Sequence, residues 1–243
     1  MNKLGRFSTM THLIPPTGTA LSQINAREKA YWIIRDKIIY MQLKPGEPLS
    51  DKLLAEQLEM SRTPVREALI LLSAYNMVVM KPQIGTFVTP IDTEWVAMEQ
   101  FSRLTMEKEM ITRACSSPHP ELYSAYNNNL KMFSEIEQSS HKDRIRHLHE
   151  LDNDFHSFAF AACGKINSFL HMHSYMQHIE RLRVLALILG TDTDIAKDHK
   201  AIADAVEKQD RITALQCLES HLNIYKESLT KAKDQHPEYF TLG

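Results

Sequence analysis

One carboxylate and three imidazole side chains in the second half of the chain have the types and spacing of metal ligands. Asp152 and His156 are four residues apart, so on a helix their side chains share one face. His199 and His221 lie on later helical segments. Such ligands suit zinc, nickel, manganese or iron(II), with positions left open for water or a ligand. The spacing alone also fits histidines that are solvated or hydrogen-bonded in a core.

A second group of polar side chains lies at the start of a helix in the first half of the chain. Ser61 is a suitable N-cap, and Pro64 fits the first turn, where its missing N–H loses no hydrogen bond. Arg62, Thr63 and Arg66 then project from one arc of the helix N-terminus. The free N–H groups and the dipole at this end also favour anions. Two guanidinium groups at such a tip are typical of a recognition helix.

The elements around this helix predict a helix-turn-helix followed by a two-stranded wing. A first helix begins at the capping residue Asn25 and ends before Pro45-Gly46, and a short second helix follows Ser50. The helix with the arginines is the third. Two short strands, Met77–Lys81 and Thr86–Thr89, then form the predicted wing.

The rest of the chain predicts a bundle of about six helices, because Gly and Pro are scarce from residue 95 onward. The predicted helices cover residues 94–115, 119–138, 142–162, 167–189, 193–208 and 211–233. The fold class is therefore mainly α, with an N-terminal winged helix-turn-helix and an all-α bundle. The expected organisation is a flexible tail (1–21), the winged helix (22–91), a linker or the start of the first bundle helix (92–100), the bundle (101–235) and a C-terminal tail (236–243).

Composition and charge exclude several classes of protein. Hydrophobic residues make up 43% of the chain and charged residues 24%, which excludes a mainly disordered protein. Residues 1–90 carry 11 Lys and Arg against 7 Asp and Glu, and this basic first part suits phosphates. We expect neither a transmembrane helix nor a signal peptide. Three widely spaced cysteines argue against a disulfide framework and favour a reducing cytoplasm.

Four segments of the first domain occur in an order and spacing that resemble the GntR family of bacterial transcription regulators. They are Leu43–Leu49, Leu54–Leu58, Ser61–Leu69 and Gly85–Val88. The resemblance implies a homodimer that binds a palindromic, double-stranded DNA operator. The positions that match the family's DNA contacts are Lys52, Arg62, Thr63, Arg66, Gln83 and Gly85. At residues 75–77 the family usually has an acidic residue and Gly; Asn76 here tolerates the left-handed conformation that ends a helix.

The second domain resembles the FCD effector domain of the FadR-like branch. The segments that carry the resemblance are Leu151–His156, Gly164–Asn167, His199–Ile202 and His221-Leu222. It implies an all-helical ligand-binding domain that holds a divalent metal. Zinc is the first choice, and nickel, manganese and iron are the alternatives. The metal ligands carry over to Asp152, His156, His199 and His221.

Arg103 matches the first helix of that effector domain, where an arginine can reach an anionic effector by a bidentate contact. The resemblance thus implies a small carboxylate as the effector. The other interpretation of Arg103 is an i, i+4 surface ion pair with Glu107.

The leading hypothesis is a cytoplasmic, metabolite-responsive transcription regulator rather than an enzyme. One alternative is a regulator that senses the metal ion itself. The other is a metal-dependent hydrolase or oxygenase that uses the Asp/His cluster. No convincing general base is paired with that cluster, and Asp154 and Glu107 are the candidates for one.

Overall fold

The computed structural model describes residues 25–191 and 194–241. The predicted N-terminal tail, residues 1–21, lies outside the described residues. Among those that are described, no helix is long and apolar enough to cross a membrane.

The first domain confirms the predicted winged helix. Its three helices are α1 (Ala26–Ile39), α2 (Asp51–Gln57) and α3 (Arg62–Ala74), and its strands are β1 (Pro48–Leu49), β2 (Val78–Lys81) and β3 (Gly85–Val88). The sequence predicted two strands, but β1 adds a third, giving an antiparallel sheet of order β1-β3-β2. A strand of two residues is too short to show an alternating pattern, which is why it was not predicted.

Local side-chain chemistry accounts for the helix ends. Asn25 Oδ1 accepts a hydrogen bond from the Glu28 backbone N–H at 2.9 Å, as a helix cap does. Ser50 Oγ accepts from the Leu53 N–H at 3.3 Å at the start of α2. Asn76 has a φ of 56° just after α3, so it supplies the left-handed residue that was expected there.

The second domain is an all-helical bundle, as predicted. The described residues form α4 (Thr93–Ala114), α5 (Pro120–Glu137), α6 (Arg144–Ala162), α7 (Ile166–Tyr175), α8 (Gln177–Leu189), α9 (Ile195–Glu207), α10 (Arg211–Asn223) and α11 (Tyr225–Gln235). Two predicted helices are each divided, at Met176 and at Ile224. Neither residue is a Gly or Pro that would mark a break in the sequence. Asp92 caps α4, so residues 93–100 are helical.

The C-terminal segment packs against the junction of the two domains. Residues 236–243 were predicted to be a tail, but Pro237–Tyr239 forms a short 3₁₀ turn. The Ile91 N–H donates to Tyr239 O at 2.8 Å, and the Thr241 N–H donates to Ile91 O at 3.1 Å. Phe240 is buried. This pairing satisfies the backbone of Ile91 between the winged helix and α4.

Candidate functional site

The four predicted metal ligands meet inside the bundle. Asp152 and His156 come from α6, His199 from α9 and His221 from α10, and one ligand atom of each lies within 4.8 Å of the others. Asp152 Oδ1 is 3.0 Å from His199 Nε2 and 3.4 Å from His156 Nε2. His156 Nε2 is 3.2 Å from His221 Nε2. His221 is partly buried and the other three residues are buried.

Two carboxylates outside the cluster set the orientation of two of its histidines. His156 Nδ1 is 2.7 Å from Glu107 Oε2, and His221 Nδ1 is 3.3 Å from Asp198 Oδ2. An ionised carboxylate only accepts hydrogen bonds, so each Nδ1 carries the hydrogen. Each Nε2 then turns its lone pair toward the cluster, which is the arrangement found in metal-ligating histidines.

Several polar atoms in the cluster lack a hydrogen-bond partner among the described residues. Asp152 Oδ1 and both ring nitrogens of His199 are buried and have no hydrogen-bond partner within residues 25–191 and 194–241. The His199 ring stacks on Phe155, with centroids 3.8 Å apart and planes 3° apart, so packing holds its orientation. Buried polar atoms without a partner are costly. Converging lone pairs on buried nitrogen and oxygen atoms fit a bound divalent cation.

Burial and charge favour the metal-binding protonation states of Asp152, His199 and His221. Burial raises the pKa of the Asp152 carboxyl, but the charge of Arg183 and the nearby imidazoles of His156 and His199 hold that pKa well below its usual range. Burial lowers the pKa of His199 to about 3. Burial likewise lowers the pKa of His221. A carboxylate and neutral imidazoles are the ligand forms that a metal requires.

Arg103 and Glu107 form an ion pair that is buried, which corrects the alternative interpretation of a surface pair. Arg103 Nε donates to Glu107 Oε1 at 2.7 Å, and both side chains are buried. Arg103 Nη2 finds no acceptor in the described part of the chain. Arg103 lines a cavity of about 40 Å³ together with Asp152, His221 and Tyr225. It thus has a free donor beside the Asp/His cluster.

Replacing Glu107 by Gln is expected to lower zinc affinity by about 10- to 100-fold. The Glu107 carboxylate accepts from His156 with one oxygen and from Arg103 with the other. An amide has a single oxygen, so it can serve only one of these donors. A zinc titration against a competing chelator measures the change. Glu109→Gln removes an exposed charge from the same helix and is the control; equal affinities of the two variants would show that Glu107 does not orient His156.

The predicted DNA-contact residues of α2 and α3 have exposed side chains. Lys52, Arg62, Thr63 and Arg66 are all exposed. Arg62 Nη2 donates to both carboxylate oxygens of Asp51 at 2.9 Å while its side chain stays 65% exposed. Asp51 therefore orients Arg62 but leaves most of the guanidinium accessible to a phosphate or a base.

The wing places Gln83 and Gly85 in an exposed turn. Gly85 has a φ of 141°, which side chains rarely adopt, and a Cβ there would lie 3.4 Å from the Phe87 ring. Gln83 also has a positive φ, of 61°. The turn is thus built on one residue that must be Gly and one in the left-handed region.

A larger cavity, of about 810 Å³, lies between the end of α3, α4 and α7. Its lining is mostly apolar and includes Trp95, Met98, Met172 and Tyr175. Its polar lining residues include His171 and His178.

Two family models together match most of the chain. The model described as bacterial regulatory proteins, gntR family, matches residues 26–88, and the FCD domain model matches residues 101–224. The chain belongs to the GntR family. Its C-terminal part is an FCD domain, and the protein is a DNA-binding transcription regulator, not an enzyme.

Relatives of similar length support this assignment. An HTH-type transcriptional regulator from Streptomyces ambofaciens is 28% identical over 88% of this chain and 89% of its own length. The HTH-type transcriptional repressor RspR of Escherichia coli is 24% identical over 92% of this chain and 99% of its own length. A solved GntR transcriptional regulator from Rhodococcus sp. RHA1 has the same fold, with a TM-score of 0.67 at 20% identity, over 84% of this chain and 97% of that one.

The FCD domain also contains polar residues that sequence reasoning did not place. Asp198 and Glu180 were missed, and so was His173, which is buried with its Nε2 3.1 Å from Glu180 Oε2. One signal was available. Glu180, Arg181 and Arg183 are charged residues in a helix whose other residues from Ile179 to Leu189 are apolar, and charged residues in a buried helix are usually paired.

Proposed function

We propose that this GntR regulator responds to a small organic acid bound at a metal site in its FCD domain. A homodimer in the cytoplasm presents two winged helices to a palindromic operator. The observation that carries the proposal is that Asp152 and His221 of the Asp/His cluster line one small cavity together with Arg103, whose Nη2 has no acceptor among the described residues. A cation beside a guanidinium is a combination suited to a carboxylate.

The residues present fit a divalent metal. Asp152, His156, His199 and His221 would hold it, and zinc is the first choice for one carboxylate and three imidazoles. When bound, the metal supplies positive charge and open positions for an oxygen ligand. Arg103, held by Glu107, orients the carboxylate through its free donor. The cavity of about 40 Å³ favours an acid of few atoms.

The winged helix supplies the DNA contacts in this proposal. Arg62, Thr63 and Arg66 at the N-terminus of α3 enter the major groove, where arginine recognises guanine O6 and N7. Lys52 on α2 is a further DNA contact in this proposal. Gln83 and Gly85 on the wing approach the neighbouring DNA backbone. The effector changes operator affinity only through its different affinity for the two domain arrangements, a coupling of about 1–3 kcal/mol.

A thermal-shift screen of small organic acids, run on zinc-loaded and on chelated protein, tests the proposal. We expect one class of acid to stabilise only the loaded form, by about 2.7 kcal/mol at 100 times its dissociation constant. Arg103→Gln is expected to lose the shift caused by the acid and to keep the shift caused by zinc. Lys108→Gln, on the exposed side of the same helix, is the matched control.

Other outcomes assign different functions. If zinc alone changes both the unfolding temperature and the DNA affinity, and no acid changes either, the protein senses the metal ion. If neither zinc nor any acid changes the unfolding temperature, the effector site is elsewhere, and the apolar cavity between α3, α4 and α7 becomes the next candidate.

A further inference from the structure

Helix α8 contacts the Asp/His cluster with one face and the winged helix with another. On the first face, Arg183 donates to Asp152 Oδ2 through Nη2 and to Glu180 Oε1 through Nη1. On the second face, Arg181 donates to the backbone carbonyl of Thr89, just after β3. Val184 is fully buried in the hydrophobic cluster of the winged helix. Consecutive residues of α8 thus contact the Asp/His cluster and the core of the winged helix.

A chain of buried side chains continues from Arg183 to α1. Glu180 Oε2 lies 2.7 Å from His149 Nε2, so this nitrogen carries the hydrogen. His149 Nδ1 then accepts from the Tyr40 hydroxyl at 3.2 Å. Asp152, Arg183, Glu180 and His149 are all buried. The link thus runs, without a break, from a candidate metal ligand to the residue that ends α1.

The winged-helix end of this chain is held in place and contacts the recognition helix. The Arg146 guanidinium lies 3.9 Å from the centroid of the Tyr40 ring and pairs with Asp36 at 2.7 Å. Ile34 and Ile38 of α1 are buried in the same hydrophobic cluster as Leu69 of α3. A shift at the end of α1 is thereby passed to α3 by packing, because close-packed cores transmit strain.

We propose that the path Arg183–Glu180–His149–Tyr40, together with the Val184 contact, couples occupancy of the Asp/His cluster to the placement of α1 and α3. This inference rests on the proposed function. A cation at Asp152 competes with Arg183 for the charge of the same carboxylate and repels the guanidinium. Arg183 then hydrogen-bonds less to Asp152 and more to Glu180. The hydrogen bonds that link His149 to Glu180 and to Tyr40 change as a consequence. Tyr40 and His149 act as positioning residues, since neither belongs to the cluster itself.

Hydrogen–deuterium exchange of the full chain, with and without one equivalent of Zn²⁺, tests the path. In the wild type we expect zinc to change exchange both around the cluster and in residues 34–41, the latter by at least about threefold. Tyr40→Phe keeps the ring that faces Arg146 and removes only the hydroxyl. This variant is expected to bind zinc with unchanged affinity and to lose most of the change in residues 34–41. Tyr31→Phe, which removes a hydroxyl elsewhere on α1, is the control and should respond like the wild type.

The outcomes separate this inference from the function on which it rests. If zinc binds and residues 34–41 respond equally in the wild type and in Tyr40→Phe, the path is wrong and the metal site stands. The path is also wrong if zinc changes exchange only around the cluster in the wild type. If zinc does not bind the wild-type protein at all, the proposed metal site fails and the inference fails with it.

Discussion

Arg66→Ala is expected to weaken specific operator binding by about 1–3 kcal/mol, roughly 5- to 150-fold, because one arginine that reads a guanine contributes that much discrimination. Arg66 is exposed near the N-terminus of α3, where the helix dipole also favours DNA phosphates. The measurement is fluorescence anisotropy on an operator duplex selected from a random library with the wild-type protein. A scrambled duplex gives the non-specific affinity in the same buffer.

Arg62→Ala distinguishes a base contact from a phosphate contact. Arg62 is already held by Asp51, so its guanidinium is oriented before DNA arrives. If it binds a phosphate, the variant weakens operator and scrambled duplexes alike and lowers the salt slope by about one unit. If it reads a base, the loss is confined to the operator. Arg113→Ala removes the same charge from an exposed position in the FCD domain and should bind like the wild type.

Operator affinities that stay at the wild-type level in both Arg62→Ala and Arg66→Ala would contradict the proposed recognition face. Binding would then have to come from the wing or from Lys52. The Gln83→Ala and Lys52→Ala variants would identify which of these two supplies it.

His221→Ala is expected to reduce zinc affinity by at least about 100-fold, since loss of a direct ligand exceeds the effect of losing an outer partner. The partly buried position of His221 makes this the least disruptive ligand to remove. The chelated variant should unfold near the temperature of the chelated wild type, while zinc should no longer stabilise it. Calorimetric zinc titration and thermal unfolding, with and without chelator, measure both effects.

His171→Ala is the matched control, because His171 is exposed on α7 and outside the cluster. It should keep the zinc-dependent stabilisation. A wild-type response to zinc in His221→Ala would rule out His221 as a ligand. Loss of the response in both variants would mean that zinc binds elsewhere.

Short-range patterns in the sequence were sufficient for much of the fold. Asn25, Ser50 and Ser61 were predicted to cap helices, and all three occupy N-cap positions. The side chains of Asn25 and Ser50 make the capping hydrogen bond, whereas that of Ser61 does not. The four-residue spacing of Asp152 and His156 placed both side chains on one face of α6, where the structure also has them. Caps, turns and helix faces depend on neighbours within a few residues, so the local sequence carries their signals.

The boundaries inside the bundle needed the tertiary structure. The break between α7 and α8 falls at Met176, which is buried, and no Gly or Pro marks it. Strand β1 exists because Pro48 and Leu49 pair with Phe87 and Thr86 of β3. At the start of α8, Glu99 Oε2 accepts hydrogen bonds from the His178 and Ile179 N–H groups at 3.0 and 2.8 Å. Both features thus involve contacts with residues distant in the chain, which local propensity does not show.

For the candidate site too, some features could be predicted from the sequence and others required the tertiary structure. The sequence by itself, through its family motifs, determined a winged-helix regulator with an FCD domain and the identity of the residues that form the Asp/His cluster. Only the tertiary structure decided that the Arg103–Glu107 pair is buried and that Glu107 orients His156. It also decided that Arg183 of α8 contacts the cluster through Asp152. The physical reason is that periodicity shows which face of a helix is buried. Which faces meet depends on how several helices pack at once.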